Sequence, residues 1–419
     1  MFIIQYIVIT VTLVYLVLLA YIKIKYPFWY HQPVYHKYDF WRGLYSEPFF
    51  LYKYRPIKTK FFNDGNVKTI PYLDATTEQK QEVLQLLQSN YISNDRILLT
   101  IQEKELDALY VGHTDTPFIS FYKHKNYELV ENLDISNNSI LSNKIMGCIL
   151  SNPVQIFYQG SRNNNVYTEV PLYYTDFLCV GRELDPSGKI KYIRELFDTH
   201  EYNKRLYNPA IIGSLFKREI DLLEGVVPLV QYITYVYYLR NVIFPALPDH
   251  FHVVHINAEN LDLFTDFLYV QTHLDLEKSP HLDLLSVTSL GNYIAMIKQG
   301  LCYVFCLKKG EHIYGTYFFR NCNIQYEDLE GDTLQFYGSI CNTDTAQLFY
   351  LGFLHSTFQI MKKYPKFKML MFENLGDNTV LHSRWRQKNS PTFENKTAYY
   401  SFNFVIPGSP LRPEKCLFL

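Results

Sequence analysis

The chain has 419 residues, with 40 Lys plus Arg against 41 Asp plus Glu and a formal net charge of −1. That balance argues against a nucleic-acid backbone as partner, which calls for a basic face. At 48% hydrophobic, 17% aromatic and 19% charged residues, the composition also excludes a disordered chain. The length suits two to three ordinary domains or one large duplicated unit. Seven cysteines are too sparse and irregular for a disulfide scaffold, and the closest pair, Cys302 and Cys306, lacks zinc spacing. Reduced thiols in a cytosol-facing protein are the expectation.

Phe2 to Ile22 carries no charge and no proline, and at 1.5 Å per residue it spans a hydrocarbon core of about 30 Å. No basic residue precedes it and bulky Tyr21, Ile22 and Ile24 stand at its end, unlike a cleaved signal peptide. The expectation is one uncleaved membrane anchor over residues 1–25. Lys23 and Lys25 follow it, so the positive-inside rule puts the body on the cytoplasmic side. Two glycosylation sequons, Asn137-Asn138-Ser139 and Asn395-Lys396-Thr397, offer a check, since glycan on either reverses that topology.

Residues 26–75 read as an extended, aromatic and basic lead-in with Pro27, Pro33, Pro48 and Pro56. A helix follows from Thr76, with Thr77, Gln79 and Gln81 marking its start and Val83, Leu84, Leu86 and Leu87 on one face. Strands are expected at 144–158 and 170–180, a helix at 209–223 and a strand at 231–239. The second half repeats this rhythm, with a helix at 255–273 and strands around Lys309-Gly310 and over 334–342. A long amphipathic helix over 347–364, a buried strand at 367–374 and a last strand at 398–406 complete it. This is an α/β layout. Two similar halves, 76–247 and 248–419, suggest a duplicated module.

There is no phosphate loop, HExxH, GxSxG elbow or GxGxxG after a strand. The thirteen histidines are scattered, and His312, His355 and His382 read as packed residues rather than ligands. Cys416-Leu417-Phe418-Leu419 fits a loose prenylation box, although an anchored chain gains little from a second lipid.

Longer words are more informative. The strand ending Thr175-Asp176-Phe177-Leu178-Cys179-Val180 and the segment Asn203-Lys204-Arg205-Leu206-Tyr207-Asn208-Pro209 resemble a strand and a basic, helix-opening turn of the glycylpeptide N-tetradecanoyltransferase (N-myristoyltransferase) family. So do LLQSNYI (86–92), KIMGCILSNPVQIFY (144–158), QYITYV (231–236), Phe40-Trp41, FENLGDNTVL (372–381) and the closing AYYSFNFVIPGSPLRPEKCLFL (398–419). The matches run in order from about residue 38 to the last.

The resemblance implies two GNAT-like halves, an α+β fold, and transfer of myristoyl from myristoyl-CoA to the amine of an N-terminal glycine. Myristoyl-CoA is then a co-substrate, with no permanently bound cofactor. It implies backbone N–H groups of Phe177 and Leu178 as the oxyanion hole and the Leu419 carboxylate as the base. Thr234 keeps a threonine that helps position the amine, while Asp176 stands where the family has asparagine. Phe40, Trp41, Cys179, Val180, Lys204, Arg205 and Leu206 would bind acyl-CoA, and Tyr91 and His355 would line the peptide groove. The implied partners are acyl-CoA, proteins or peptides beginning with glycine, and a membrane held through residues 2–22.

Three departures stand out. Ser93-Asn94-Asp95-Arg96 replaces an acidic loop, residues 393–400 lose the glycines of the family phrase, and Gly181 to Tyr202 reads as an insertion. A homologue that binds acyl-CoA or glycine peptides without catalysis, or a GNAT-like enzyme for another acyl chain, are the alternatives.

Overall fold

The computed structural model describes residues 2–39, 41–92, 96–123, 144–159, 168–239, 245–273, 282–327 and 329–419. Helix α1 (Phe2–Lys25) is continuous. Its stretch Gln5–Lys25, with a mean hydropathy of 2.4, is long and apolar enough to cross a membrane by length and composition. The lead-in then runs with little regular structure beyond β1 (Phe49–Phe50).

The first series of elements is β2 (Val67–Pro71), α2 (Thr77–Asn90), β3 (Ile97–Leu99), α3 (Glu103–Tyr110), β4 (Phe118–Lys123), β5 (Ile145–Tyr158), β6 (Thr168–Val180), α4 (Pro186–Tyr207), β7 (Ser214–Glu219) and β8 (Val230–Tyr238). The second is β9 (His252–His255), α5 (Leu261–His273), β10 (Leu284–Thr288), α6 (Leu290–Lys298), β11 (Cys302–Lys309), β12 (His312–Tyr326), β13 (Leu329–Cys341), α7 (Ala346–Lys363), β14 (Phe367–Glu373), α8 (Asn378–Arg386), β15 (Phe393–Phe402), β16 (Phe404–Val405) and β17 (Cys416–Phe418). Most strands join one sheet ordered β17-β10-β5-β6-β7-β15-β8-β14-β13-β12-β11-β9.

Two matching units build the sheet. In one, antiparallel β5 and β6 lead through α4 to β7, which lies parallel to β6. In the other, antiparallel β12 and β13 lead through α7 to β14, parallel to β13. β8 pairs with β14, β15 pairs with β7, and β8 and β15 pair with each other. Each series thus ends by placing a strand in the other's territory.

Helices cover both faces. α4 packs on Phe216, Tyr400 and Phe402, and α7 and α8 pack on Tyr235, Phe336 and Phe372. Register puts Phe216, Tyr400 and Tyr235 on one face, which we call the α4 face. On the opposite face α2 and α3 cover Ile119, Cys148 and Leu150, while α5 covers Val304 and Phe318.

The helix expected at 209–223 is instead coil followed by β7. The helix lies earlier: α4 occupies the segment that reads as an insertion. Asp185 caps it by accepting the backbone N–H groups of Ser187 and Gly188, and Pro186 occupies its first turn. Ile190, Ile193 and Leu196 then recur at helical spacing. The start of α2 also shifts by one residue, because Thr76 and Gln79 form a reciprocal capping box. The segment at 255–273 divides into the end of β9 and α5, separated by a turn in which Asn257 and Asn260 accept backbone N–H groups.

α4 buries a row of polar side chains. Glu201 bonds Thr175, Ser214 and Lys204, the last at 2.6 Å. Asp198 accepts from Gln32 and Thr59, which ties the lead-in to the helix. His200 lies between Ser120, 2.7 Å from Nδ1, and Ser151, 3.0 Å from Nε2. Burial first, and then the Lys204 ammonium, hold the His200 imidazole well below its ordinary pKa. The unfolded chain therefore binds a proton below about pH 6.5 that the native state refuses, so stability falls as pH drops through that value. The urea midpoint should decline between pH 7 and 5, and this decline should flatten in His200→Gln. An unchanged slope in the variant would place the titration elsewhere.

Candidate active site

Parallel β6 and β7 share only three register pairs, Tyr173–Ser214, Tyr174–Leu215 and Thr175–Phe216. β6 then continues along β5 and β7 along β15, so the two edges part. A bulge sits just past that point. Cys148 faces Cys179 and Leu150 faces Asp176, leaving Phe177 and Leu178 opposite Ile149. Phe177 adopts a left-handed φ of 52°, which a large side chain takes only when its surroundings impose it. Its ring packs under α2, and Leu178 packs toward α4. Bulges of this kind free backbone groups from the ladder and re-aim them.

Asp176 precedes the bulge. Its Oδ1 accepts the Phe177 backbone N–H at 2.7 Å and the Tyr91 hydroxyl at 2.8 Å. Burial and then the Asp176 charge raise the Tyr91 and Tyr174 hydroxyls well above the usual tyrosine range.

A polar network continues from there across the middle of the sheet, on the face opposite α4. Lys217 Nζ lies 2.6 Å from Glu373 Oε1 and 2.7 Å from Glu219 Oε1. Gln335 Nε2 also donates to Glu373 Oε1, and Tyr232 donates to Oε2 at 3.1 Å. Arg320 Nε donates to Gln335 Oε1 at 2.6 Å. Burial opposes charge on Lys217, but Glu219 and Glu373 together outweigh it and raise the ammonium above the ordinary lysine range. Lys217 in turn lowers the Glu219 carboxyl. None of these residues bears a recognisable motif. Sequence reading missed them because they come from β7, β8, β12, β13 and β14, and only strand register assembles them.

The C-terminal segment borders this network. Tyr399 stacks on Phe418 with ring centroids 3.9 Å apart. β17 runs parallel to β10, and the Leu419 N–H donates to the Ser286 carbonyl at 2.8 Å. Gly338 makes room for it, because a Cβ there would lie 2.6 Å from Leu419 Cδ2 and 2.9 Å from Leu417 Cδ1.

The other candidates divide sharply. Thr234 lies on the network's face, its hydroxyl 2.8 Å from that of Thr397. Cys179 and Val180 are buried beyond the bulge. Lys204 and Arg205 are in the last turn of α4 rather than opening a helix, and both are buried. Burial pulls the Lys204 ammonium down to about 8, and Arg205 donates to the Tyr52 carbonyl. Leu206 is 47% exposed. The turn that follows β6 and opens a helix is Gly181–Pro186, in which Arg182 donates to the Ile92 carbonyl and stands beside Glu183 and Asp185. His355 lies on α7, across the sheet from the network, and contacts the Pro245 carbonyl. Trp41 is 80% exposed, and Phe40 lies outside the described residues.

The Asn395 sequon sits in β15 between β7 and β8 with Thr397 fully buried, so it offers no topology check in the folded chain. The Asn137 sequon lies outside the described residues. Cys416 is buried in β17, withdrawn from prenylation in the folded chain. All seven cysteines are free, and no cluster of metal-ligating side chains occurs among the described residues.

The chain matches no protein-family model, and no curated protein matches it in sequence. Its fold does have solved counterparts. Saccharomyces cerevisiae N-myristoyltransferase with bound myristoyl-CoA superposes with a TM-score of 0.64 at 13% identity, covering 93% of this chain and 90% of that one. A second structure of the yeast enzyme with myristoyl-CoA gives 0.63 at 13% identity, with 92% and 93% covered. A tandem GNAT protein from the clavulanic acid pathway gives 0.49 at 8% identity, covering 80% of this chain and 98% of that one. The chain therefore has the N-myristoyltransferase fold.

Lys217 is the test of the network. Lys217→Met leaves Glu373 buried without its cation and should cost about 3–5 kcal/mol. Adding Glu373→Gln should recover part of that loss in a double-mutant cycle read by urea denaturation. Additive losses would show that the pair is not coupled.

Proposed function

We propose that the chain is an acyl-CoA-dependent N-acyltransferase that moves a myristoyl group from myristoyl-CoA to the amine of an N-terminal glycine. The observation that carries this reading is the left-handed bulge at Phe177, placed where β6 and β7 part. A thioester lying in that opening meets main-chain N–H groups of Phe177 and Leu178, which stabilise the oxyanion as the amine attacks. Each such donor contributes about 3 kcal/mol in comparable sites. No side-chain nucleophile is required. The carbonyl passes directly from sulfur to nitrogen.

Supporting groups follow from the geometry. The coenzyme's phosphates would meet the start of α4 beside Arg182 and Lys189, where they must displace the Asp185 cap from the Ser187 and Gly188 N–H groups. That position replaces Lys204 and Arg205 in the anion-binding role. The lead-in ties to α4 through Gln32 and Thr59 and to residues 403–405 through β1 and Tyr52, with residues 76–247 as the acyl-CoA half and residues 248–419 as the peptide side. Leu419, docked beside Gly338 and Ser286, supplies the carboxylate that the family resemblance implies as a base. Helix α1 anchors this body to a membrane, with the site on the cytoplasmic side.

Labelled myristoyl-CoA and a peptide beginning with glycine should give an acylated peptide, and the same peptide beginning with N-acetylglycine should not. Gly338→Val should displace the tail and lower the rate at least tenfold while the fold persists. A second reading, binding without catalysis, is favoured by one feature: the Asp176 carboxylate already holds the Phe177 N–H. Acyl-CoA binding with no transfer to any amine would establish that reading. Transfer only from shorter acyl-CoA would show a GNAT-like enzyme of different chain length.

A further inference from the structure

We propose that Asp176 is a catalytic residue: it takes the first proton from the substrate ammonium, and by taking it releases the Phe177 N–H for the oxyanion. This rests on the acyltransferase reading above. The carboxylate stands at the residue before the bulge, facing away from α4 into the space where β6 and β7 have parted. Oδ1 is committed to the Phe177 N–H and the Tyr91 hydroxyl, whereas Oδ2 makes no hydrogen bond among the described residues. An ammonium approaching Oδ2 finds an unbonded carboxylate oxygen one residue before the Phe177 N–H.

The surrounding groups fit an acceptor. Tyr91 from α2, Tyr110 from α3 and Tyr174 from β6 all lie within the field of the Asp176 charge. Burial and that charge keep these hydroxyls protonated, so none competes as the base. Glu219 from β7 shares the space around Tyr91, and Arg320 that around Tyr174. Lys217 holds Glu219 at 2.7 Å, leaving Asp176 as the carboxylate next to the bulge with an unbonded oxygen.

Protons balance in two transfers. The ammonium gives one proton to Asp176 and becomes an amine. The neutral carboxylic acid accepts hydrogen bonds less strongly than the carboxylate, so its grip on the Phe177 N–H loosens as the oxyanion forms. The amine nitrogen forms the C–N bond, the C–S bond breaks, and the nitrogen's second proton passes to the departing thiolate to give free coenzyme A. Asp176 returns its proton to water once the product has left. The Leu419 carboxylate is then free to relay the second proton instead of the first.

The test is a pH profile of single-turnover transfer from labelled myristoyl-CoA to a glycine peptide, using the full chain in detergent. An α-amine titrates near 8. Asp176→Asn keeps an acceptor for the Phe177 N–H but cannot take a proton. Its rate should fall about a hundredfold at pH 7 and regain about tenfold by pH 9, where most of the amine is already neutral. Wild type should be nearly flat over that interval. Tyr91→Phe removes one hydrogen bond from the carboxylate and should move the acid limb of the profile to higher pH, a second readout should the first variant fold poorly. An Asp176→Asn profile superposing on wild type, or an unmoved limb in Tyr91→Phe, overturns the assignment. Absence of transfer by wild type at every pH overturns the acyltransferase reading itself, which keeps the two failures distinct.

Discussion

Strands β8 and β15 lie side by side over seven pairs, from Val230–Tyr399 to Val236–Phe393, and each stands where the strand order alone would place the other. Without that pairing the two helix-crossed units would be separate sheets, each with an exposed central edge. With it, β7 and β14 gain a partner on their open side, and the middle of the sheet becomes interior. Unpaired edges are a liability that folds of this size must remove. Here the remedy also creates the site, because Lys217, Tyr232, Thr234, Glu373 and Tyr399 come from the four strands that meet there.

Placing charge in that interior is costly unless every group is matched. The arrangement meets this through a chain of shared partners. Glu373 takes Lys217, Gln335 and Tyr232, and Gln335 in turn takes Arg320. Asp176 is the exception, since one of its oxygens is bonded and the other makes no hydrogen bond among the described residues. The matched network fixes the sheet, whereas the carboxylate beside the bulge is held through one oxygen. The α4 face shows the contrasting case. There Glu201 and Lys204 are bonded to each other and to Thr175, and His200 to Ser120 and Ser151, and they act as structure.

Much of the sheet was legible from alternation and apolar runs. The strands at 144–158, 170–180 and 231–239 and the helix at 347–364 follow directly from those patterns. α4 was not, because its buried face is polar. Asp198, Glu201, Lys204 and Arg205 read as a solvated surface until Gln32, Thr59 and Tyr52 of the lead-in are placed over them. The segment that reads as an insertion, Gly181 to Tyr202, is for the same reason the place where α4 begins. β7 has no clear period to read, and the helix expected at 209–223 spans it. At the site, Asp176, Phe177 and Tyr91 were legible as words, but the bond from the Phe177 N–H to its own neighbour's carboxylate is a property of a left-handed backbone that no side-chain pattern encodes.

This bears on how a fold persists at 13% identity over 93% of the chain. Where the reacting carbonyl is held by main-chain N–H groups, what must be kept is the path of the backbone: the parting of β6 from β7, the bulge between them, and a helix opening after β6. Many sequences satisfy those demands. The side chain at position 176 is then free to differ in chemistry while the backbone path past it is kept, and in this chain a carboxylate there takes up the Phe177 N–H. Divergence in side chains with constancy in backbone is what such a division of labour permits, and it explains why register, more than residue type, brings the Lys217–Glu373 network into view.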